Sequence, residues 1–191
     1  MFKKRLNLEV DIIKRAPSLG LDNTSKIAVI LNCLEIMKQR KAGRYDMVVD
    51  LDITSPLRTV EDIHNLIQKK VDSDADVVFS VTASRRNPYF NMVKKTISGY
   101  KLVIGFGFNS RQEAPEVFDM NASLYAYSPE FLESGKGIFD GKCDVIKMLD
   151  TGILDLDHEN DFELMEVIAG YLYNKYQEHR EVRDNILIFY N

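Results

Sequence analysis

Two pairs of aspartates have the spacing best suited to chemistry in this chain. In Leu154-Asp155-Leu156-Asp157 acidic and apolar residues alternate, so in a strand both carboxylates project from one face and both leucines from the other. Two carboxylates a strand period apart make a hard-oxygen site suited to Mg²⁺, which takes one or two protein carboxylates together with substrate phosphates. Asp50-Leu51-Asp52 has the same geometry after a more apolar run. The alternation also describes a solvated strand end, and spacing alone leaves both readings open. Parallel sheets place ligands at the carboxyl ends of their strands, where both pairs could face one crevice. The cationic candidates are Arg15, Arg58, Arg85, Arg86 and Arg111. A guanidinium just after a strand can clamp phosphate or carboxylate through paired bonds, although Arg85 and Arg86 individually fit surface solubility better.

Other patterns fail on inspection. Gly105-Phe106-Gly107 has Ser110 where a dinucleotide fingerprint needs a third glycine. Ser134-Gly135-Lys136-Gly137 has Glu130 in place of the earlier glycine and Gly137 in place of the metal-touching hydroxyl, so it reads as a turn. His64, His158 and His179 show no ligand spacing, and neither cysteine has a CxxC partner or a triad around it.

The elements that must hold the carboxylates alternate between strand-like and helix-like segments. Val10-Asp11-Ile12-Ile13 is short and β-branched, and Asp22-Asn23-Thr24 offers caps for an amphipathic helix carrying Ile27, Val29, Ile30, Leu34 and Met37. Residues 47–51 read as a buried strand. Residues 60–70 read as a helix with Ile63, Leu66 and Ile67 on one face, capped by Thr59 or by Thr54-Ser55. Residues 77–81 are again a buried strand, and strand, helix, strand with continuous apolar strands signals a parallel sheet covered on both faces. From residue 84 to residue 119 the pattern breaks into glycines and polar turns, which suggests hairpins in an inserted arm. Residues 122–127 resume as a strand. Pro129 opens a short helix, 153–157 form a short strand, 161–176 a helix, and 186–190 an apolar run with no assigned place. The expectation is an α/β fold, doubly wound with a mostly parallel sheet, in one domain over residues 1–191.

Composition narrows the class. The 191 residues are 45% hydrophobic and 28% charged, with 25 basic against 29 acidic side chains and a net charge of −4. That excludes disordered, collagenous and disulfide-rich chains, and an acidic balance argues against broad nucleic-acid binding. The longest uncharged run, residues 120–129, is ten residues and too short to span a bilayer. Phe2-Lys3-Lys4-Arg5 leads into Glu9 and Asp11 rather than into an apolar leader, and Cys33 and Cys143 then read as reduced thiols. A cytoplasmic protein with no membrane partner is expected.

Asp50-Leu51-Asp52-Ile53-Thr54-Ser55-Pro56-Leu57-Arg58-Thr59, followed by Glu61-Asp62-Ile63, resembles the signature of the acylneuraminate cytidylyltransferases. Further matches follow in that family's order: Arg15, Leu19 and Asp22; Arg111-Gln112; Asn121-Ala122-Ser123-Leu124-Tyr125; and Leu154-Asp155-Leu156-Asp157 with Asp161. The resemblance implies a nucleotide-diphospho-sugar transferase-like fold whose arm, here 84–119, forms a homodimer and helps complete the partner's sugar site. It implies attack by the anomeric hydroxyl of a nonulosonic (sialic-type) acid on the α-phosphate of CTP, with pyrophosphate leaving. Such chemistry needs charge neutralisation and in-line placement more than covalent catalysis. By the same resemblance Asp155 and Asp157 hold Mg²⁺, Arg111 pairs with the sugar carboxylate, and Arg15 lies near the nucleotide. Thr54, Ser55 and Arg58 shape the strand-end loop, and Asn121 and Tyr125 belong to the sugar side.

Three departures stand out. Asp52 stands where many members have a sugar-contacting glutamine, which fits either a different nonulosonic acid or a carboxylate that accepts from an amine or hydroxyl substituent. Ala122 stands where relatives often have glycine. Nothing before Arg15 resembles the family's phosphate-binding loop of Gly, Ser, Arg and Lys, so an N-terminally shortened domain is expected. Two rival readings remain: a sugar-nucleotide glycosyltransferase using Asp50 and Asp52 as its metal motif, and an inactive sugar-binding or dimerisation fragment.

Overall fold

A computed structural model describes residues 10–21, 24–41, 43–105, 108, 110, 112–152 and 154–188. Arg111, the cap candidates Asp22 and Asn23, Ile153, and Phe189 and Tyr190 of the terminal run lie outside the described residues.

Helix α1 (Lys26–Lys41) precedes strand β1 (Val48–Leu51), and α2 (Val60–Asp72) connects it to β2 (Val77–Ala83). A hairpin of β3 (Val93–Thr96) and β4 (Gly99–Leu102) intervenes before the long β5 (Phe118–Tyr127). Then come α3 (Pro129–Glu133), β6 (Cys143–Lys147), α4 (Glu159–Lys175) and α5 (Gln177–Ile188). The main sheet has the order β1-β5-β2-β6. β5 is antiparallel to both β1 and β2, whereas β2 and β6 are parallel.

The alternation of side chains along β2 explains the two layers that cover this sheet. Val77, Phe79 and Val81 face one side, where they pack with Tyr125 and Tyr127 of β5, Ile30 and Leu34 of α1, and Phe131 and Leu132 around α3. Val78 faces the other side, with Leu124, Ala126, Ile146, Met148 and Leu66 of α2. A third cluster of Leu57, Met165 and Leu172, joined by Leu154 and Leu156, fastens α4 beside the loop after β1.

The α/β class expected from the sequence is present, with helices on both faces. The sheet is mixed: β1, β2 and β6 share one direction, but the reversed β5 sits between β1 and β2, so two of the three ladders are antiparallel. An apolar strand buried on both faces reads the same in either direction, and the sequence pattern could not reveal the reversal.

Several local expectations change. Residues 10–13 form no strand; Val10 and Ile12 are exposed. Residues 154–157 form no strand: Asp157 N donates to Asp155 O at 3.2 Å in a tight turn, and Leu156 N donates to Thr54 O of the loop after β1 at 3.0 Å. The leucines of that segment nonetheless share one side, both in the third cluster. Ile186 to Ile188 end helix α5. Strand β6 was not anticipated, because its sequence CDVIK is short and polar at both ends. Thr59, not Thr54-Ser55, caps α2: its hydroxyl accepts from Asp62 N at 3.1 Å while Asp62 Oδ2 accepts from Thr59 N at 2.8 Å. The 84–119 excursion does contain a hairpin. Among the described residues no helix is long and apolar enough to cross a membrane.

Candidate functional site at the end of strand β1

The carboxyl ends of β1, β2 and β6 lie along one edge of the sheet, since the three strands run the same way. There the chain turns from β1 into α2 through Asp52-Ile53-Thr54-Ser55-Pro56-Leu57-Arg58, and it holds that turn with its own side chains. Asp52 Oδ1 accepts from Thr54 N at 3.1 Å and from Thr54 Oγ1 at 2.9 Å. Arg58 Nη1 donates to the carbonyls of Asp52 (2.7 Å), Ser55 (2.9 Å) and Ser123 (3.3 Å). Ser55 is fully buried, and its hydroxyl donates to Asn121 O at 3.0 Å while Ser123 Oγ returns a bond to Ser55 O at 2.9 Å. Burial pulls the Arg58 guanidinium below its ordinary pKa, against the opposing charges of Asp52 and Asp50.

Residues 121–124 are a break in β5. The β2–β5 register slips between Phe79 and Val81, and the extra length on β5 is taken up there. Ser80 fills the gap: its hydroxyl donates to Asn121 Oδ1 at 2.5 Å and accepts from Leu124 N at 2.9 Å. Asn121, 2% exposed, spends its amide internally, on Ser80, Ser123 and Met148 Sδ. Ala122 sits at φ 53°, in the left-handed region. This is the position where the resemblance noted glycine, the residue that adopts such a φ without steric cost.

On the α1 side of the sheet, Val48 joins the α1-facing cluster, so Asp50, two residues on, faces the same way. Asp50 pairs across the ladder with Tyr125. Lys26, the first residue of α1, brings its ammonium between the two β1 carboxylates, 2.8 Å from Asp50 Oδ2 and 2.6 Å from Asp52 Oδ2. It also lies 4.5 Å above the Tyr125 ring. Burial alone would lower the Lys26 pKa; the bonds and charges of Asp50 and Asp52 outweigh it and hold the ammonium above its usual value. For Asp52, burial acts upward, but Lys26 and Thr54 outweigh it and keep the carboxyl below its usual value. Burial raises the Tyr125 phenol, opposed by Lys26 and reinforced by Asp50, Asp52 and Asp155, so all three carboxylates act on one ring.

Beside this cluster opens a crevice of about 460 Å³, lined by Arg15, Leu19, Thr24, Lys26, Asp50 and Asp52 among others. That volume lies in the range of small-molecule sites. Arg15 comes from the segment ahead of α1, whose Pro17–Gly20 turn folds back along the crevice. Asp155 belongs to the 154–157 segment. Its Oδ1 is buried with no hydrogen-bond partner among the described residues, whereas Asp157 is exposed. Asp161 accepts from the backbone N–H groups of Asp157 (3.0 Å) and His158 (2.7 Å), which fixes the segment at the start of α4. Among the described residues no three His, Cys, Asp or Glu side chains group closely enough to hold a metal ion unaided. A hard cation with one or two protein oxygens and further oxygens from a ligand matches what Mg²⁺ takes at phosphate sites.

Arg15, Asp52, Thr54, Tyr125 and Asp155 thus converge on one edge of the sheet, while Ser55, Arg58 and Asn121 lie behind it as its internal bonding. Sequence reasoning missed Lys26. One signal was available: a lysine in the first turn of a helix with no acidic residue there opposes the helix dipole, so something else must hold it.

No family model matches the chain. The post-translational flagellin modification protein B of Campylobacter coli is 29% identical over 155 residues, which are 81% of this chain and 66% of that protein. The CMP-N,N'-diacetyllegionaminic acid synthase of Campylobacter jejuni is 31% identical over 159 residues, 82% of this chain and 67% of that protein. The chain therefore spans about two thirds of the length of these relatives. An α/β protein with a charged crevice at its strand ends is the class that fold and site define. Within that class the chain belongs to the acylneuraminate cytidylyltransferase family.

Proposed function

We propose that the chain acts as a cytidylyltransferase, moving CMP from CTP to a nonulosonic acid of the legionaminic type. The observation that carries this reading is the strand-end crevice lined by Arg15, Lys26, Asp50 and Asp52, with Asp155, whose charge also reaches Tyr125, holding an Oδ1 that has no hydrogen-bond partner among the described residues. The name of the Campylobacter jejuni relative adds the substrate class. In the proposed reaction the anomeric hydroxyl oxygen bonds to the α-phosphorus and the bond to the β-phosphate bridging oxygen breaks. Pyrophosphate leaves and the hydroxyl proton passes to solvent or a carboxylate. Asp155, with Asp157, is assigned to Mg²⁺, which when bound neutralises triphosphate charge. Asp52, ionised and oriented by Thr54 and Lys26, is an acceptor for a ligand N–H or O–H. Arg15 serves the nucleotide side, and Arg111 the sugar carboxylate. The doubly wound nucleotide-binding architecture and a homodimer joined through residues 84–119 belong to the same proposal. So does a site on the cytoplasmic side, where CTP is made.

The test is pyrophosphate release by the chain from CTP, Mg²⁺ and N,N'-diacetyllegionaminic acid. Asp155→Ala is expected to lower the rate at least ~100-fold, as losing a charge-stabilising group does, and Asp50→Ala to lower it far less. The reverse pattern would transfer the metal role to Asp50 and Asp52 and support a glycosyltransferase. Sugar binding without CTP binding in calorimetry would leave only a sugar-binding module.

A further inference from the structure

The pair Asp50 and Asp52 looks, from sequence, as ready for a metal as the pair Asp155 and Asp157. The structure treats the two differently. Lys26 Nζ sits between the Asp50 and Asp52 carboxylates, within 2.8 Å of one and 2.6 Å of the other. An ammonium at such distances occupies the place a cation bridging both groups would take. It is not loosely held there. The Tyr125 ring lies 4.5 Å beneath it, and the far oxygen of Asp52 is engaged by Thr54. The side chains of Asp50 and Asp52 are only 22% and 24% exposed, so water screens their mutual repulsion poorly and a counter-charge between them has a large effect. Lys26 also starts a helix, where its charge opposes the dipole; the two carboxylates supply what the helix does not. Among the described residues Asp50 Oδ2 and Asp155 Oδ1 are both buried without a hydrogen-bond partner, but Asp50 Oδ2 has the Lys26 ammonium at 2.8 Å and Asp155 has no ion pair.

We propose that Lys26 is a positioning residue acting as the resident cation of the crevice: it fills the space between Asp50 and Asp52, bars divalent metal from that pair, and so leaves Asp155 as the carboxylate open to it. The consequence is a division of labour. Asp52 stays an ionised acceptor aimed at ligand N–H or O–H groups, and metal chemistry is confined to the 154–157 segment. That the crevice faces nucleotide and sugar rests on the cytidylyltransferase reading. The exclusion of metal by Lys26 does not, and it can be tested with neither substrate present.

The experiment is titration of the full chain with Mn²⁺ alone, with free metal read by electron paramagnetic resonance. Lys26→Met keeps the stem and removes the charge, and is expected to bind Mn²⁺ at least tenfold more tightly than the unmodified chain. Lys26→Arg keeps the charge and should return to the starting affinity. The double variant Lys26→Met with Asp52→Asn should lose the gain. A Lys26→Met protein with native circular dichroism and an affinity within twofold of the starting chain overturns the proposal, as does a gain that survives Asp52→Asn.

Should Lys26→Met fail to fold, the unmodified chain still decides. On Mn²⁺ addition the carboxylate carbon signal of Asp155 should broaden before those of Asp50 and Asp52, and the opposite order overturns the proposal. A chain that released no pyrophosphate could pass every one of these tests, and an active one could fail them, so the two readings stand or fall separately.

Discussion

The loop after β1 and the arm between β2 and β5 are both excursions from the same edge of the sheet, yet they are held by opposite means. In the loop, polar groups are met by chain far away in sequence: Ser55 by Asn121 and Ser123, Arg58 by Ser123, Lys26 by Asp52. In the arm most bonds are local. Asn87 gathers the backbone N–H groups of Phe90, Asn91 and Met92 on its carbonyl, and Ile104 N and Val103 N tie the hairpin base to Pro88 and Met92. Its turn is closed by Thr96 Oγ1 on Gly99 O at 2.8 Å, with Gly99 at φ 106°. The hairpin forms its own two-stranded sheet and leaves Val93, Ile97 and Tyr100 exposed. A two-stranded hairpin on its own is marginal in water. The contrast is between a loop completed by the fold and an arm whose hairpin leaves Val93, Ile97 and Tyr100 uncovered among the described residues.

The largest expected effect therefore falls in the loop. Arg58→Met removes a charged donor from three backbone carbonyls at 2.7–3.3 Å; Ser55 O keeps Ser123 Oγ and Ser123 O keeps Asp52 N, and the lost charge-assisted bonds are worth about 3 kcal/mol in all. For a chain of this size that lowers the melting temperature by roughly 6–12 °C, measurable by calorimetry. Asn121→Ala should follow at about 2 kcal/mol, because Ser80 and Ser123 lose their shared partner inside a buried break in β5. A melting temperature unmoved by either change would mean the loop is no better fixed than the arm.

How much of this arrangement could be read in advance depends on the range of the interaction. Helix α2 and its Thr59 cap were legible because period and cap lie within a few residues of one another. β1 and β2 were legible as apolar runs, and the arm as a break in pattern. The aspartate pairs were legible as paired carboxylates, but not their surroundings. What separates Asp50 and Asp52 from Asp155 is a lysine on another element, brought between them only when α1 packs on the sheet. The slip in β5 was equally hidden. Ala122 looked like a missing glycine, and only the backbone shows that the position demands a positive φ. The direction of β5 and the existence of β6 depend on strand pairing, which no local window contains.

Acid tests the loop's electrostatics next. Asp52 has its pKa held below the usual value, so its contribution to stability is present above the unfolded carboxyl value and is lost as pH falls through the folded one. Lys26 is held above its usual value, so its contribution is present below the unfolded lysine value and is lost as pH rises through the folded one. The unmodified chain should thus lose stability on both flanks, in the carboxyl range and the lysine range. When melting is followed against pH, Asp52→Asn should remove its share of the acid flank and only reduce the lysine flank, because Asp50 still faces Lys26 at 2.8 Å.

A smaller, positive effect is expected at Ala122. Substitution by glycine removes the steric cost of φ 53°, about 1–2 kcal/mol, and adds back roughly 0.5–1 kcal/mol of chain entropy. The net gain of about 0.5–1 kcal/mol should raise the melting temperature by roughly 1–4 °C. A fall would mean that the break in β5 is not held where Ser80 and Asn121 place it.

The smallest effect on folding belongs to the arm, and it is the sharpest check on the comparison. Ile97 stands at the tip of the hairpin, fully exposed, and Tyr100 is 72% exposed. Neither fills a cavity nor satisfies a buried group, so Ile97→Ser with Tyr100→Ser should move thermal stability of the monomer by no more than about 0.5 kcal/mol. Sedimentation carries the complementary reading. Under the proposed dimer these side chains are covered by a second copy, and replacing them should shift the equilibrium toward monomer while the melting of dilute, monomeric protein stays put. A large loss of stability in dilute monomer would place the arm among the parts that hold the fold together, and the distinction between a loop completed from within and an arm awaiting a partner would fail.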